Sequence, residues 1–263
     1  MLDRIALVTD FGSRSPYVGQ MRLRLDALLP RVPVIELESD LAPFRPDLAA
    51  YFLPALARDM PARTLYVSVV DPGVGSERAV LAVEADGDWY LGPDNGLLAL
   101  VARRARRVRI LRVDWRPERL SASFHGRDLF CPIAAKLVEQ ESLEWAPLDR
   151  GDMLGSDWPE ELSKVIYADN YGNLITGIRA ACLDESARMI VAGREVRRAR
   201  TFCEVPAGQV FWYENCFGLV ELAVNQGNAR LALGLEVGDE VEVLGLSSPW
   251  GSLAGRGQGH QRA

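Results

Sequence analysis

The chain has 263 residues, of which 48% are hydrophobic and 25% charged, and its net charge is −6 at pH 7. This balance is typical of a folded globular protein and excludes an intrinsically disordered one. The acidic excess disfavours a nucleic-acid partner, because phosphate recognition relies on clustered Lys and Arg side chains. No apolar run approaches the ~18 residues of a membrane span. We therefore expect a cytoplasmic protein with no nucleic-acid and no membrane partner.

The first 150 residues alternate between strand and helix patterns. Apolar periodicity and turn residues predict strands at 5–9, 34–37, 64–70 and 108–113, a hairpin at 79–84 and 89–91, and helices at 17–29, 47–60, 97–104 and 129–140. Such alternation is typical of a mostly parallel sheet covered by helices on both faces. We predict an N-terminal α/β sandwich domain over residues 1–150.

The composition changes at residues 145–161, which are rich in Pro, Gly and Asp and are expected to form a linker. Beyond it, short strand patterns lie at 164–168, 174–178, 189–191, 210–213, 219–224 and 240–244, with one helical stretch at 228–233. This pattern favours a smaller antiparallel, β-barrel-like domain over residues 162–248. The glycine-rich segment 249–263, which contains His260, is expected to be a flexible tail.

The cysteines and arginines give no sign of a metal site or an anion site. Cys131, Cys182, Cys203 and Cys216 are scattered, without the spacing of a metal-ligand set, and are expected to be free thiols. Six arginines between residues 103 and 112 cross a helix end and the next strand without interleaved aromatic residues. We interpret this run as a solvated face.

Three polar residues stand out as candidate catalytic groups. The strand 64–70 stops at Asp71, and the Pro-Gly turn that follows leads within seven residues to Arg78. His125, in the segment SASFHGRD, is one of only two histidines in the chain. Ligands of open α/β sheets bind at the carboxyl ends of strands, so Asp71, Arg78 and His125 are candidates for one polar site. The alternative is an ordinary turn with a surface ion pair.

Seven motifs occur together and in order, and their combination is more specific than any one of them. They are TDFG at 9–12, YVG at 17–19, VVDPGVGSER at 69–78, GPDNG at 92–96, SFHGRD at 123–128, DNYGN at 169–173 and AVNQGNA at 223–229. The series resembles the S-adenosyl-L-methionine (SAM) hydroxide adenosyltransferases, which are adenosine-forming SAM hydrolases related to the fluorinating and chlorinating SAM enzymes.

The resemblance implies a reaction and an assembly. Water or hydroxide attacks C5′ of the SAM ribose and expels L-methionine, leaving adenosine, with no metal or other cofactor. The assembly is a homotrimer whose active sites lie between the N-terminal domain of one subunit and the C-terminal domain of its neighbour.

The resemblance also implies roles in the N-terminal domain. Asp71, Arg78 and His125 match the triad that positions and polarises the attacking water. Asp10 matches the carboxylate that accepts hydrogen bonds from the ribose hydroxyls, and Phe124 lines the reaction pocket.

In the C-terminal domain the resemblance assigns the remaining substrate contacts. Asp169 and Asn173 match positions at the ammonium and carboxylate of the methionine moiety. Cys216 stands where the family usually has Ser, and Ser15 stands where relatives often have Asp. Asn225, in the AVNQGNA motif, is aligned with adenine contacts.

Two other functions fit parts of the same pattern. A SAM-dependent halogenase would use halide instead of water, but halogenating relatives lack the Asp/Arg/His set and have tyrosine at the position of His125. A non-catalytic SAM or adenosine sensor would need Asp10 and the C-terminal motifs but not the triad. The presence of the triad favours hydrolysis.

Overall fold

The computed structural model describes residues 2–191 and 193–246, so the tail expected at 249–263 lies outside the described residues. The chain forms two compact units, the first ending at Leu162 and the second beginning at Ser163. Among the residues described, no helix has both the length and the apolar character needed to cross a membrane.

The first unit is built on a seven-stranded sheet in the order β2-β1-β3-β5-β4-β6-β7. Its strands are β1 Arg4–Thr9, β2 Val34–Glu38, β3 Thr64–Val69, β4 Val80–Ala85, β5 Asp88–Pro93, β6 Val108–Val113 and β7 Trp145–Pro147. The four strands β2, β1, β3 and β5 run parallel. The pairs β5/β4, β4/β6 and β6/β7 are antiparallel. The tight turn between β4 and β5 reverses the chain and makes the first of these pairs a hairpin. The predicted α/β class is confirmed, with a mixed sheet.

The helices of the first unit follow the predicted apolar periodicity. They are α1 Pro16–Leu28, α2 Pro46–Leu56, α3 Ala99–Arg104 and α4 Cys131–Glu139, the last preceded by a π-helical turn, Gly126–Phe130. Val18, Met21 and Leu25 of α1 are buried at helical spacing in one core cluster that also holds the buried residues of α4. The same cluster includes apolar side chains of β1 and β3. These contacts hold the start of α1 and the start of α4 beside the carboxyl ends of those strands.

The segment 145–161, expected to be a linker, is packed onto the first unit. Its β7 strand pairs with β6, and the Tyr51 hydroxyl of α2 donates a hydrogen bond to the Pro159 carbonyl (2.7 Å). Arg103 of α3 donates to the Ser156 carbonyl (3.0 Å). Its Pro, Gly and Asp content, typical of a linker, therefore belongs to a folded connection whose carbonyls are hydrogen-bonded by helices.

The second unit is a single strongly curved sheet in the order β14-β10-β11-β12-β13-β9-β8. Its strands are β8 Leu162–Ala168, β9 Leu174–Arg179, β10 Leu183–Val191, β11 Arg194–Arg198, β12 Val210–Glu214, β13 Leu219–Val224 and β14 Glu242–Leu246, with one short helix, α5 Ala229–Leu233. The residues before β14 bond to β8, where Val165 donates to Asp239 (2.9 Å) and Val241 to Ser163 (3.0 Å). The two edges of the sheet therefore approach closure, as expected for a barrel-like domain. One pairing, β11 with β12, is parallel.

Replacing Tyr51 with Phe tests whether the 145–161 segment contributes to the stability of the first unit. Tyr51 is 2% exposed, and the variant loses its hydrogen bond to the Pro159 carbonyl, which keeps the one from Nη2 of Arg103 (3.0 Å). We expect a loss of ~1 kcal/mol in the free energy of unfolding, measured by urea denaturation. Tyr171→Phe is the matched control, since Tyr171 is 80% exposed, and should change it by less than ~0.5 kcal/mol. Equal stabilities of the two variants would contradict a stabilising role for this contact.

Candidate active site

The carboxyl ends of three adjacent parallel strands meet at one edge of the first sheet. Thr9 of β1 is paired with Val69 of β3, so Asp10 and Asp71, which follow these strands, emerge at the same edge. The GPDNG motif follows at the end of β5, the next strand in the sheet, where the Asn95 amide donates to the Val70 carbonyl (2.8 Å). This edge is the position at which open α/β sheets bind ligands.

Asp71 and Arg78 form a largely buried ion pair across the Pro-Gly turn. The turn is closed by backbone bonds from Val74 to Asp71 (3.2 Å) and from Ser76 to Gly73 (3.1 Å), and the Arg78 guanidinium donates to the Asp71 carboxylate. Their side chains are only 6% and 18% exposed. This burial distinguishes the pair from the surface ion pair that the sequence left open as an alternative. The structure therefore places a carboxylate and a guanidinium together inside the site.

Gly73 is required for this arrangement. A Cβ atom at Gly73 would lie 2.6 Å from Nη1 and 2.7 Å from Nη2 of Arg78, well inside van der Waals contact. The guanidinium therefore lies directly against the backbone of the turn. Burial raises the pKa of Asp71, and the positive charge of Arg78 opposes this increase.

His125 immediately precedes the π-helical turn Gly126–Phe130 and lies near Asp71. Burial lowers the pKa of His125 below its ordinary value, while the negative charge of Asp71 acts in the opposite direction. In the part of the chain that the structure describes, the imidazole makes no hydrogen bond to another protein group. A neutral imidazole next to a buried Asp–Arg pair can accept a proton from a small molecule held between them.

Asp10 is held by a contact that sequence reasoning missed. Its Oδ2 accepts a hydrogen bond from the backbone N–H of Phe44 (2.9 Å), a residue with φ of 62° and a 71% exposed side chain. Burial raises the pKa of Asp10, and the nearby negative charge of Asp71 adds to this effect. A Phe between two prolines carries no motif that marks such a contact.

Phe124 belongs to an aromatic cluster beside His125. Its ring meets those of Tyr17 (centroids 5.3 Å apart) and Phe11 (6.0 Å) edge to face, and Phe11 and Tyr17 also meet each other (5.8 Å). These rings come from the TDFG, YVG and SFHGRD motifs. The structure thus brings the SFHGRD motif against two motifs that lie more than a hundred residues before it in the sequence.

In the second unit, Asp169 and Asn173 form one hydrogen-bonded loop. Asp169 accepts bonds from the backbone N–H of Tyr171 (2.9 Å) and from both the backbone N–H and the side-chain amide of Asn173 (2.9 Å each). Sequence reasoning missed their neighbour Glu221, a 5% exposed carboxylate that accepts from the Tyr213 hydroxyl (2.8 Å). Burial raises the pKa of Glu221, and the charge of Asp169 adds to it. An acidic residue in a buried strand is the signal that would have found it.

Cys216 and Asn225 lie at opposite ends of the β12/β13 hairpin. Cys216 is exposed in the turn between the strands. Asn225 follows β13 and donates its side-chain amide to the Val205 carbonyl (2.6 Å), so part of its hydrogen-bonding capacity is used within the unit. Among the residues that the structure describes, no cluster of three or more His, Cys, Asp or Glu side chains could hold a metal ion.

The fold and site define a two-unit protein in which an α/β unit with a partly buried Asp-Arg-His group precedes a barrel-like unit. Family models of the SAM hydroxide adenosyltransferase N-terminal and C-terminal domains match residues 5–146 and 163–242. The chain belongs to this family.

Named relatives and solved structures extend over most of the chain. It is 37% identical to a protein of Thermus thermophilus (91% of this chain, 99% of the relative) and 32% identical to one of Salinispora arenicola (91% and 97%), both named (R)-S-adenosyl-L-methionine hydrolase. An uncharacterized conserved protein of Thermotoga maritima has a similar crystal structure, with TM-score 0.80 and 28% identity over 91% of this chain and 99% of that one.

An NMR titration can test the electrostatic coupling between Asp71 and His125. We expect the pKa of His125 to lie below ~6.5 in the wild type and lower still in Asp71→Asn, because that variant removes a negative charge that favours imidazolium. The signal can be assigned with His125→Ala, since the chain has two histidines. Asp114→Asn, which removes an exposed carboxylate paired with Arg112, is the control and should leave the pKa unchanged. A higher pKa in Asp71→Asn would contradict this geometry.

Proposed function

We propose that the protein hydrolyses SAM to adenosine and L-methionine, with Asp71, Arg78 and His125 as the catalytic residues. The observation that carries this proposal is the Asp71–Arg78 ion pair at the carboxyl end of β3, with side chains 6% and 18% exposed, beside His125, whose pKa is lowered by burial. Family membership and the relatives named SAM hydrolase support the same reaction.

The chemistry requires only an aligned and desolvated water. A water oxygen forms a bond to C5′ of the ribose while the C5′–S bond breaks. The electron pair of the C5′–S bond goes to sulfur, which becomes the neutral thioether of methionine. The proton of the water goes to His125. Because the sulfonium already carries a good leaving group, the neutral thioether of methionine, the reaction needs no redox cofactor and no metal.

The triad residues have separate tasks in this proposal. Asp71 stabilises the imidazolium that forms on His125, and Arg78 donates hydrogen bonds to the attacking oxygen as it gains negative charge. The lowered pKa of His125 keeps the imidazole neutral at pH 7, so it is ready to accept a proton.

Substrate binding is proposed for residues of both units. Asp10 accepts hydrogen bonds from the ribose 2′ and 3′ hydroxyls. The Phe44 N–H fixes the carboxylate through Oδ2 and leaves its other lone pairs for these hydroxyls. Phe124 and its aromatic neighbours exclude water from the reacting carbon. Asp169 pairs with the ammonium of the methionine moiety, Asn173 bonds its carboxylate, and Cys216 and Asn225 contribute further contacts. The five hydrogen-bonding or ionic residues and Phe124 complete the proposed binding set.

Incubation of the purified protein with SAM, followed by chromatography, tests the proposal. We expect adenosine and methionine in equal amounts, and we expect His125→Ala to lower the rate by about 100-fold or more through loss of the general base. Asp114→Asn serves as the control and should retain wild-type activity. Absence of adenosine above a buffer blank would contradict hydrolysis. A halogenated nucleoside as the main product at high chloride would instead indicate a halogenase, and tight SAM binding without turnover a sensor.

We also propose a homotrimer in which each active site takes its first-unit and second-unit residues from neighbouring subunits. Asp71→Ala and Asn173→Ala should each be inactive, whereas a mixture should regain activity after subunit exchange, because mixed trimers contain interfaces with both intact halves. Light scattering gives the oligomeric state and the SAM assay gives the activity. A fully active monomer, or mixed oligomers without activity, would contradict the shared site.

A further inference from the structure

The turn that carries His125 packs closely against α1. A backbone bond from Asp128 to Phe124 (3.2 Å) spans His125. Gly126 is buried, and a Cβ atom added there would lie 3.0 Å from the Met21 sulfur and 3.2 Å from the ring of Phe11. The position of the imidazole therefore depends on how this turn is attached to α1.

Arg127 makes that attachment with its whole guanidinium. Nε and Nη2 donate to the two oxygens of Asp128 (2.7 and 2.8 Å), and Nη1 donates to Oε1 of Gln20 on α1 (2.7 Å). The guanidinium carbon also lies 4.9 Å from the centre of the Phe124 ring. One planar group thus contacts Phe124, which precedes His125, Asp128, which lies three residues after it, and Gln20 on the neighbouring helix.

We infer that Arg127 is a positioning residue for His125, which it orients by tying the 124–128 turn to α1 through Gln20. This role rests on the proposed function, because His125 is the proton acceptor there. A lysine cannot replace it, since a single ammonium cannot reach Asp128, Gln20 and the Phe124 face together. Arg127 itself need not touch the substrate.

Four charged groups influence His125. Burial has the largest effect on its pKa and lowers it. The positive charges of Arg116 and Arg78 also lower the pKa, whereas the negative charges of Asp71 and Asp128 raise it. If the turn loosens, water reaches the imidazole and the effect of burial weakens. Its pKa should then rise toward the ordinary ~6.5.

The test uses two variants that keep the net charge, Arg127→Lys and Gln20→Ala. We expect an increased pKa of His125 by NMR titration in both. For SAM hydrolysis we expect kcat to fall about 10-fold in Arg127→Lys, with KM changed less than ~2-fold, because a misplaced base slows chemistry without altering binding. Arg112→Lys is the matched control and should change neither quantity, since Arg112 pairs with Asp114 through the same kind of hydrogen bond (3.0 Å) but at an exposed position.

The NMR readout separates this inference from the proposed function, because it needs no turnover. An increased pKa in the variants supports positioning even if the wild type does not cleave SAM. An unchanged His125 pKa in both variants overturns the inference, including the case in which their melting temperatures fall. If Arg127→Lys does not fold, the pKa measured in Gln20→Ala decides alone.

Discussion

The burial of an ion pair at the end of β3 is the constraint on which the first unit depends. Removing a carboxylate and a guanidinium from water is costly, and the cost is offset only when the two groups meet in good geometry. Here the Pro-Gly turn provides that geometry, because Gly73 lets the Arg78 guanidinium lie directly against the backbone and face Asp71. The surroundings then set the chemistry, since the same burial that raises the pKa of Asp71 lowers that of His125.

The parallel part of the sheet gathers residues that are far apart in sequence. Because β1, β3 and β5 are adjacent and run in the same direction, the TDFG, DPGVGSER and GPDNG segments all emerge at one edge. The antiparallel strands β4, β6 and β7 continue the sheet beyond β5, and β4 begins at this same edge, where Val80 pairs with Pro93. His125 comes from outside the parallel strands, and the packing of its turn on α1 brings it to the same place.

The second unit carries a different electrostatic arrangement. Asp169 and Glu221 are close enough to influence each other, and in the part of the chain that the structure describes neither is paired with an Arg or Lys. Their hydrogen bonds come from neutral donors, namely the backbone N–H of Tyr171 and groups of Tyr213, Asn173 and Asn215. Such a pair leaves a net negative potential, which favours the ammonium group that the proposed substrate carries.

Periodicity and turn chemistry by themselves determined the two-unit organisation, most of the elements and the strand ends that carry Asp10 and Asp71, because these are local properties of the chain. Tertiary structure alone decided the rest. The composition of 145–161 predicted a linker, but hydrogen bonds from Tyr51 and Arg103 hold this segment on the first unit. Strand β11 was not predicted, because its sequence has too little apolar alternation. Phe44 and Arg127 were placed by contacts with Asp10 and Gln20, which are far away in sequence, and spacing along a chain does not encode such contacts.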